Sequence, residues 1–305
     1  MTNSGNPVIK LENLTKHYGE IVGIQDLSLE VTEGEVFGLL GPNGAGKTTT
    51  IRLILDFIRP TSGKATVFGL SPRSDGTDIR RRVGYLPGDF VTYDHMTGAT
   101  VTEYFTHLRG SDPVKLVALC ERYKLDLSRK IGQLSRGNKQ KIGLVQAFMN
   151  DPDLLILDEP TAGLDPLLQY EFQKMVHEEK VQGKTIFMSS HVMSEVEATC
   201  DRVGIIREGK LATIDTVSHL TELSLWTAKI VFTQPVPSDI FNNLPGITVT
   251  DQTDNRTYNL SISGEGAMDS LIKTVAKHSV QTFESQHASL EDAFLKHYSG
   301  EASES

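Results

Sequence analysis

Eight consecutive residues, Gly41, Pro42, Asn43, Gly44, Ala45, Gly46, Lys47 and Thr48, place three glycines before a cation and a hydroxyl. Lacking a Cβ at those points, such a loop can close on a polyanion and turn its N–H groups towards it. Lys47 can then reach the β- and γ-phosphates of a nucleotide. The Thr48 hydroxyl suits Mg2+ at a helix N-terminus, with Thr49 beside it in the first turn. Far downstream, Asp158 and Glu159 end the apolar run Leu154-Leu155-Ile156-Leu157. An aspartate there can hold Mg2+ directly or through its waters, and the adjacent carboxylate can polarise an attacking water. Two adjacent acids at a strand end are by themselves read more readily as loop residues; the glycine loop gives them weight. His191 follows the apolar run Thr185 to Met188, from which a side chain can reach back to a terminal phosphate. Together these types can carry phosphoryl transfer, with Lys47, Glu159 and His191 in catalytic positions and Thr48 and Asp158 as Mg2+ ligands.

Strand ends must hold these side chains, and the sequence supplies candidates. Short apolar runs alternate with longer amphipathic stretches from Val8 to about Asp215, the pattern of an α/β domain. Strands are expected at Val8–Leu14, Val36–Leu40, Leu154–Leu157, Thr185–Met188 and Val203–Ile206, several apolar on both faces as buried parallel strands are. Between about 96 and 150 the strand pattern fades and Val101–Leu108 and Gln140–Met149 carry helical spacing, which predicts an inserted helical subdomain. A boundary is expected near residue 216, giving domains 1–215 and 216–305. The latter holds 5 Lys/Arg against 11 Asp/Glu, so it carries most of the net charge of −9. Its order reads strand (Lys229–Phe232), helix (Ser238–Leu244), two strands about a turn at Thr253–Arg256, helix (Met268–His278) and strand (Val280–Glu284). That is a β-α-β-β-α-β, ferredoxin-like succession. The second of those helices aligns Met268, Leu271, Ile272 and Val275, and a terminal helix is expected over Ser289–Tyr298 with Ser289 as its N-cap.

Four further segments turn a phosphate loop into something more specific. Leu134-Ser-Arg-Gly-Asn-Lys-Gln-Lys141, Leu154-Leu-Ile-Leu-Asp-Glu-Pro160, Ala162-Gly-Leu-Asp165 and Met188-Ser-Ser-His191 follow in order. They resemble the signature, Walker B, D-loop and switch histidine of ABC ATPases, and Tyr18 stands where that family stacks an aromatic on adenine; the resemblance covers residues 8–215. It implies a P-loop NTPase fold of ABC type, with ATP and Mg2+ bound between two copies of the chain. Ser135 and Gly137 would contact the γ-phosphate held by the other copy, and Asp165 would join the nucleotide-binding set. It also implies a separate integral membrane permease as partner. Residues 1–215 followed by a small acidic domain ending in Ser289-Leu-Glu-Asp-Ala-Phe-Leu-Lys-His-Tyr-Ser-Gly300 look like prokaryotic drug- and antibiotic-export ATPases. Three positions depart from the family pattern: Arg136 where glycine is usual, Asn138 where glutamine is usual, and Gly88 in a loop that usually carries a glutamine. Arg136 either adds charge near phosphate or points to solvent, the latter being favoured; without a side chain at 88, hydrolysis is expected to be slower.

Composition narrows the partners. A chain of 305 residues with 38% hydrophobic and 23% charged residues has room for a core and a second domain. Its net charge of −9 argues against nucleic acid or anionic lipid as main partner. A soluble ABC ATPase acting on ribosomes or nucleic acid, and an import-coupled one, remain the alternatives; the acidic balance speaks against the first. The opening residues show no basic segment followed by an apolar one, and no apolar run approaches bilayer length, so a cytoplasmic chain is expected, which the resemblance places peripherally on the cytosolic face of the cell membrane through the permease. Cys120 and Cys200 lie too far apart in sequence for a C-x-x-C site and read as buried small apolar residues; His17, His107 and His177 show no ligand-like spacing.

Overall fold

Val36 to Leu40, Leu154 to Leu157 and Thr185 to Met188 are apolar at nearly every position, so neither face of the strands they form can be left in water. The computed structural model, which describes residues 7–90, 94–109, 113–222, 226–264 and 266–286, buries both. Two units are distinguished along the chain, Met1–Thr216 and Val217–Ser305.

The first unit runs β1 (Pro7–Tyr18), β2 (Ile21–Thr32), β3 (Val36–Leu40), α1 (Lys47–Ile54), β4 (Ser62–Val67), α2 (Gly76–Arg82), β5 (Val83–Leu86), α3 (Gly98–Arg109), α4 (Pro113–Arg122), α5 (Arg136–Phe148), β6 (Leu154–Asp158), α6 (Pro166–Val181), β7 (Thr185–Ser190), α7 (Met193–Thr199), β8 (Arg202–Arg207) and β9 (Lys210–Thr216). Its main sheet has the order β5-β6-β7-β3-β8-β9, parallel up to β8, with β9 antiparallel at the edge. A second, antiparallel sheet, β2-β1-β4, shares a core with it. Ile51 and Ile54 of α1 lie in that core with Leu14, Ile24 and Leu27 on one side and Leu39, Ile156 and Phe187 on the other. The helix that begins at Lys47 is thus fixed between two sheets. Residues 98–148 carry α3, α4 and α5 around a small core of Val101, Ile131 and Ile142, as the helical spacing predicts.

Parallel β6 and β7 pair in register through Asp158 and Ser189, while β3 lies between β7 and β8. The carboxyl ends of β3, β6 and β7 therefore lie side by side, which is where open α/β sheets receive ligands. Among the described residues no helix is long and apolar enough to cross a membrane.

The second unit comprises α8 (Val217–Glu222), β10 (Trp226–Phe232), β11 (Ile247–Asp254), β12 (Thr257–Ile262), α9 (Ala267–Val275) and β13 (Val280–Gln286). Its antiparallel sheet has the order β11-β12-β10-β13 around Ile230, Phe232, Phe241, Tyr258, Leu260 and Leu271. The helix expected over 238–244 is a 3-10 turn, Ser238–Phe241. Asn242 and Asn243 are weak helix formers, and Pro245 disfavours helical backbone at Leu244, so the segment stops after one turn. In α9, Leu271 and Val275 are buried and Met268 packs on the core, but Ile272 is half exposed, so the apolar side is narrower than its spacing suggests. The expected helix 289–298 lies outside the described residues.

Candidate functional site

The glycine loop is shaped by its neighbours before any ligand is considered. A Cβ on Gly41 would stand 2.3 Å from the Ile206 carbonyl oxygen, and one on Gly46 would stand 2.8 Å from that of Gly23. Gly44 and Gly46 also adopt φ of +84° and +111°, a region that side chains disfavour. The loop ends where α1 begins, at Lys47, so the first-turn N–H groups of α1, those of Lys47, Thr48 and Thr49 among them, face the loop.

Lys47 is only 5% exposed. Its Nζ donates to the carbonyls of Gly41 at 2.6 Å and Pro42 at 3.1 Å, and lies 3.1 Å from Glu159 Oε1. The next side chain, Thr48, donates through Oγ1 to Asp158 Oδ2 at 2.8 Å. Asp158 is 1% exposed, and its other oxygen accepts from Ser189 Oγ at 2.5 Å. Both carboxylate oxygens are thus oriented by hydroxyls, one from α1 and one from β7.

Glu159 has φ of +49°, a left-handed backbone that is uncommon for a residue with a side chain and concentrates at functional turns. Its N–H donates to the Ser189 carbonyl and Oγ, both at 3.2 Å, and its carbonyl accepts from Gln140 Nε2 at 3.2 Å. These bonds hold the turn in place. While Oε1 faces Lys47, Oε2 lies 2.6 Å from His191 Nδ1. One carboxylate therefore stands between the lysine of the glycine loop and the histidine after β7.

A cavity of about 710 Å3 opens beside this cluster; its lining includes Thr48, Asp158, Glu159, His191, Gly88 and Arg136. Another, of about 610 Å3, lies at the opposite end of the sheet, against Thr185 where β7 starts, and holds none of these residues. Tyr85 also lines the first cavity. Burial, and next the nearby Asp158, push its phenol up to about 12, against an opposing effect of Arg52, so it stays neutral.

The donors suit Mg2+ and a polyphosphate. A hydroxyl and a carboxylate held 2.8 Å apart are the oxygen ligands that Mg2+ takes, and the close-packed glycines leave no Cβ to obstruct phosphate oxygens. Tyr18 sits beside the loop: a Cβ on Gly23 would meet its Cε2 at 2.9 Å and Thr49 Cγ2 at 3.3 Å. Its ring is 44% exposed, with Lys16 Nζ 5.2 Å from its centre.

Ser135, Gly137 and Asp165 lie outside the Lys47–Glu159 cluster. Ser135 Oγ caps α5 by accepting from Asn138 N–H at 3.3 Å, and Asp165 Oδ1 caps α6 by accepting from Leu168 N–H at 3.0 Å. Gly137 packs so closely on the Gly163 carbonyl, 2.6 Å from a built Cβ, that the two segments meet as backbone on backbone. Two of the three departures, Arg136 and Gly88, line the same cavity. Arg136 is 74% exposed, its guanidinium 4.0 Å from the Asp89 carboxylate, and a Cβ on Gly88 would stand 3.3 Å from Asp158 Oδ2. Sequence reasoning passed over Ser189 and Gln140, although both lie inside motifs it singled out. It also passed over Glu195, four residues beyond His191 in the first turn of α7.

Residues 24–162 match the family model described as ABC transporter. The bacitracin transport ATP-binding protein of Bacillus licheniformis is 37% identical over 217 residues, 70% of this chain and 71% of that protein. An ABC transporter ATP-binding protein of Synechocystis is 38% identical over 200 residues, 63% of this chain but only 56% of the relative's own length. Among solved structures, the ATP-binding subunit of an ABC transporter superposes with a TM-score of 0.66 at 28% identity, covering 71% of this chain and 92% of that one. A dimeric ATP-binding cassette bound to ADP and Pi shares the fold, with a TM-score of 0.63 at 23% identity, over 68% of this chain and 98% of that one.

Proposed function

The chain belongs to the ABC transporter family of ATP-binding proteins, and on that premise we propose that it hydrolyses Mg-ATP between two copies of itself to drive a separate membrane permease. The observation that carries this is the placement of Glu159 between Lys47 and His191, beside the Thr48–Asp158 pair.

Lys47 is held against two carbonyls and one carboxylate, a set of negative partners that a nucleotide's terminal phosphates can replace in part. When phosphate takes the lysine, Glu159 Oε1 is released to accept a proton from an attacking water, while His191 keeps Oε2 in place. The ammonium of Lys47 and the N–H groups opening α1 then face the charge that develops on the transferred group. Thr48 and Asp158 would hold Mg2+, which neutralises phosphate charge and orients the leaving group. Residue types suited to each task thus meet at one strand-end cluster.

The single chain offers only one face of the site. Ser135 caps α5 and Gly137 packs on Gly163, and the hydrogen bonds that join Lys47, Asp158, Glu159 and His191 do not include them, which suits a role across a homodimer, with ATP closing the pair and hydrolysis releasing it. Closure needs a reader. Tyr104 and Leu108 of α3 and Val117 of α4 expose apolar surface, suited to a permease segment docking on the helical subdomain. The relative named for bacitracin transport supports carriage of small molecules, and we infer that the direction is export, with the chain peripheral on the cytosolic membrane face through the permease. In this scheme residues 1–215 form the nucleotide-binding domain and 216–305 an accessory one.

The test is to trap tagged Glu159→Gln protein with Mg-ATP in its native cell and identify what copurifies from detergent-solubilised membranes. A polytopic membrane protein in stoichiometric amount is expected. Ribosomes or nucleic acid in its place would overturn the transporter assignment.

A further inference from the structure

Beyond the Lys47–Asp158–Glu159–His191 cluster, one buried carboxyl stands out. Glu195, in the first turn of α7, is 5% exposed, and its Oε1 has no hydrogen-bond partner. Such a group is costly to keep in a fold. Its other oxygen, Oε2, accepts from Ser190 Oγ at 2.5 Å.

Ser190 ends β7 and immediately precedes His191; its carbonyl accepts from Gly41 N–H at 3.2 Å and its Oγ accepts from Val192 N–H at 2.9 Å. With its single proton given to Glu195, the serine hydroxyl is left as an acceptor, which is what the tight turn around His191 needs. Past Asp158 and Ser189 the β6–β7 register ends, and the Glu159 N–H to Ser189 carbonyl bond is the last backbone link across it. Beyond that point the His191 turn is held through Ser190 by Glu195.

We propose that Glu195 is a positioning residue: by holding the Ser190 hydroxyl it fixes the turn that carries His191, and so sets the contact between the His191 ring and Glu159. This rests on Glu159 and His191 serving hydrolysis as proposed above. Removing the carboxyl frees the Ser190 proton to turn towards the Val192 carbonyl, 3.4 Å away. The His191 turn then loses that support, while the Gly41 N–H bond to the Ser190 carbonyl involves no side chain and holds the glycine loop as before.

The experiment compares wild type, Glu195→Ala, Glu195→Gln and Ser190→Ala by kcat, KM and nucleotide Kd, and by NMR of the His191 ring in the nucleotide-free protein. Displaced catalytic groups can lower turnover by up to about 100-fold. Accordingly, Glu195→Ala should lower kcat by roughly 10- to 100-fold with Kd for ATP within about twofold, because misplacement acts on the reacting pair and not on phosphate binding. Glu195→Gln keeps an acceptor oxygen for the Ser190 hydroxyl and should recover most of the rate, while Ser190→Ala, which removes that hydroxyl, should be as impaired as Glu195→Ala. His191 ring signals should move in the alanine variant and stay in place in the glutamine variant. The proposal fails if glutamine is as impaired as alanine, if affinity falls in step with turnover, or if the His191 signals are the same in all four proteins. Wild type without ATPase activity would refute the proposed function, and the His191 signals would still decide the role of Glu195.

Discussion

At the carboxyl ends of β6 and β7, groups that prefer water are held out of it. Lys47, Asp158, Ser189, Ser190 and Glu195 are all buried, and Glu159 sits on a left-handed backbone beside them. In the Val217–Ser305 unit the buried side chains among the described residues are apolar or aromatic, and the phenol of Tyr258 gives its proton to the Val236 carbonyl. Its sheet keeps Ala228, Ile230 and Phe232 inside and turns Thr227 and Lys229 outward, the alternation of a sheet with one wet face. One region accepts unfavourable burial to assemble chemistry; the other uses burial only to hold its shape. Polar groups buried together therefore mark the site more sharply than any cavity does.

The largest effect expected from this contrast is at Glu159. Glu159→Gln should lower kcat by about 10²- to 10⁴-fold, the range for loss of a general base, and leave ATP binding intact in equilibrium binding and single-turnover phosphate release. Next, Phe232→Ala should cost the second unit about 3–5 kcal/mol in calorimetry, as large cavities do, with nucleotide affinity within about twofold. Loss of binding there would break the separation between the two regions.

Glu195 gives a pH test of the same contrast. Burial, the largest influence, and nearby Glu159 push its carboxyl from 4.5 up to about 7, with Ser190 and Thr161 hydrogen bonds and His191 acting the other way; Cys200 also lies within its field. The folded state then binds a proton that the unfolded state has released between those values. Stability is thus fully present below about 4.5 and falls as pH rises towards 7, by ~3 kcal/mol in all. Glu195→Gln should remove that slope from urea-unfolding curves and be the more stable protein at pH 8. The smallest effect is expected at Gly88, whose backbone is not left-handed and whose side-chain position adjoins Asp158. Glutamine there should raise kcat by about threefold, under 1 kcal/mol of barrier; an unchanged rate would show that reach towards Asp158 is not what limits turnover.

The glycine loop, the Asp158–Glu159 pair and His191 were legible in the sequence because chemistry dictates their residue types and their places after apolar runs. So were the buried parallel strands, whose continuous apolar character has few other uses. β2 was not: its pairing with β1 shifts register repeatedly, and Asp26 has positive φ, so the period-2 pattern is broken. β4 was hidden for a different reason, being mostly exposed at a sheet edge with nothing to force an apolar pattern. Glu195 carries no local signal of its role, since its hydrogen bond to Ser190 bears on the site only once the fold sets His191 against the distant Glu159.

The left-handed backbone at Glu159 has one more consequence. Glycine at that position would relieve roughly 1 kcal/mol of backbone strain at φ of +49°, while taking from the buried Lys47 ammonium the carboxylate 3.1 Å away. The easier backbone would thus strand a charge as well as delete the chemistry, so folding and turnover both keep a side chain at this codon.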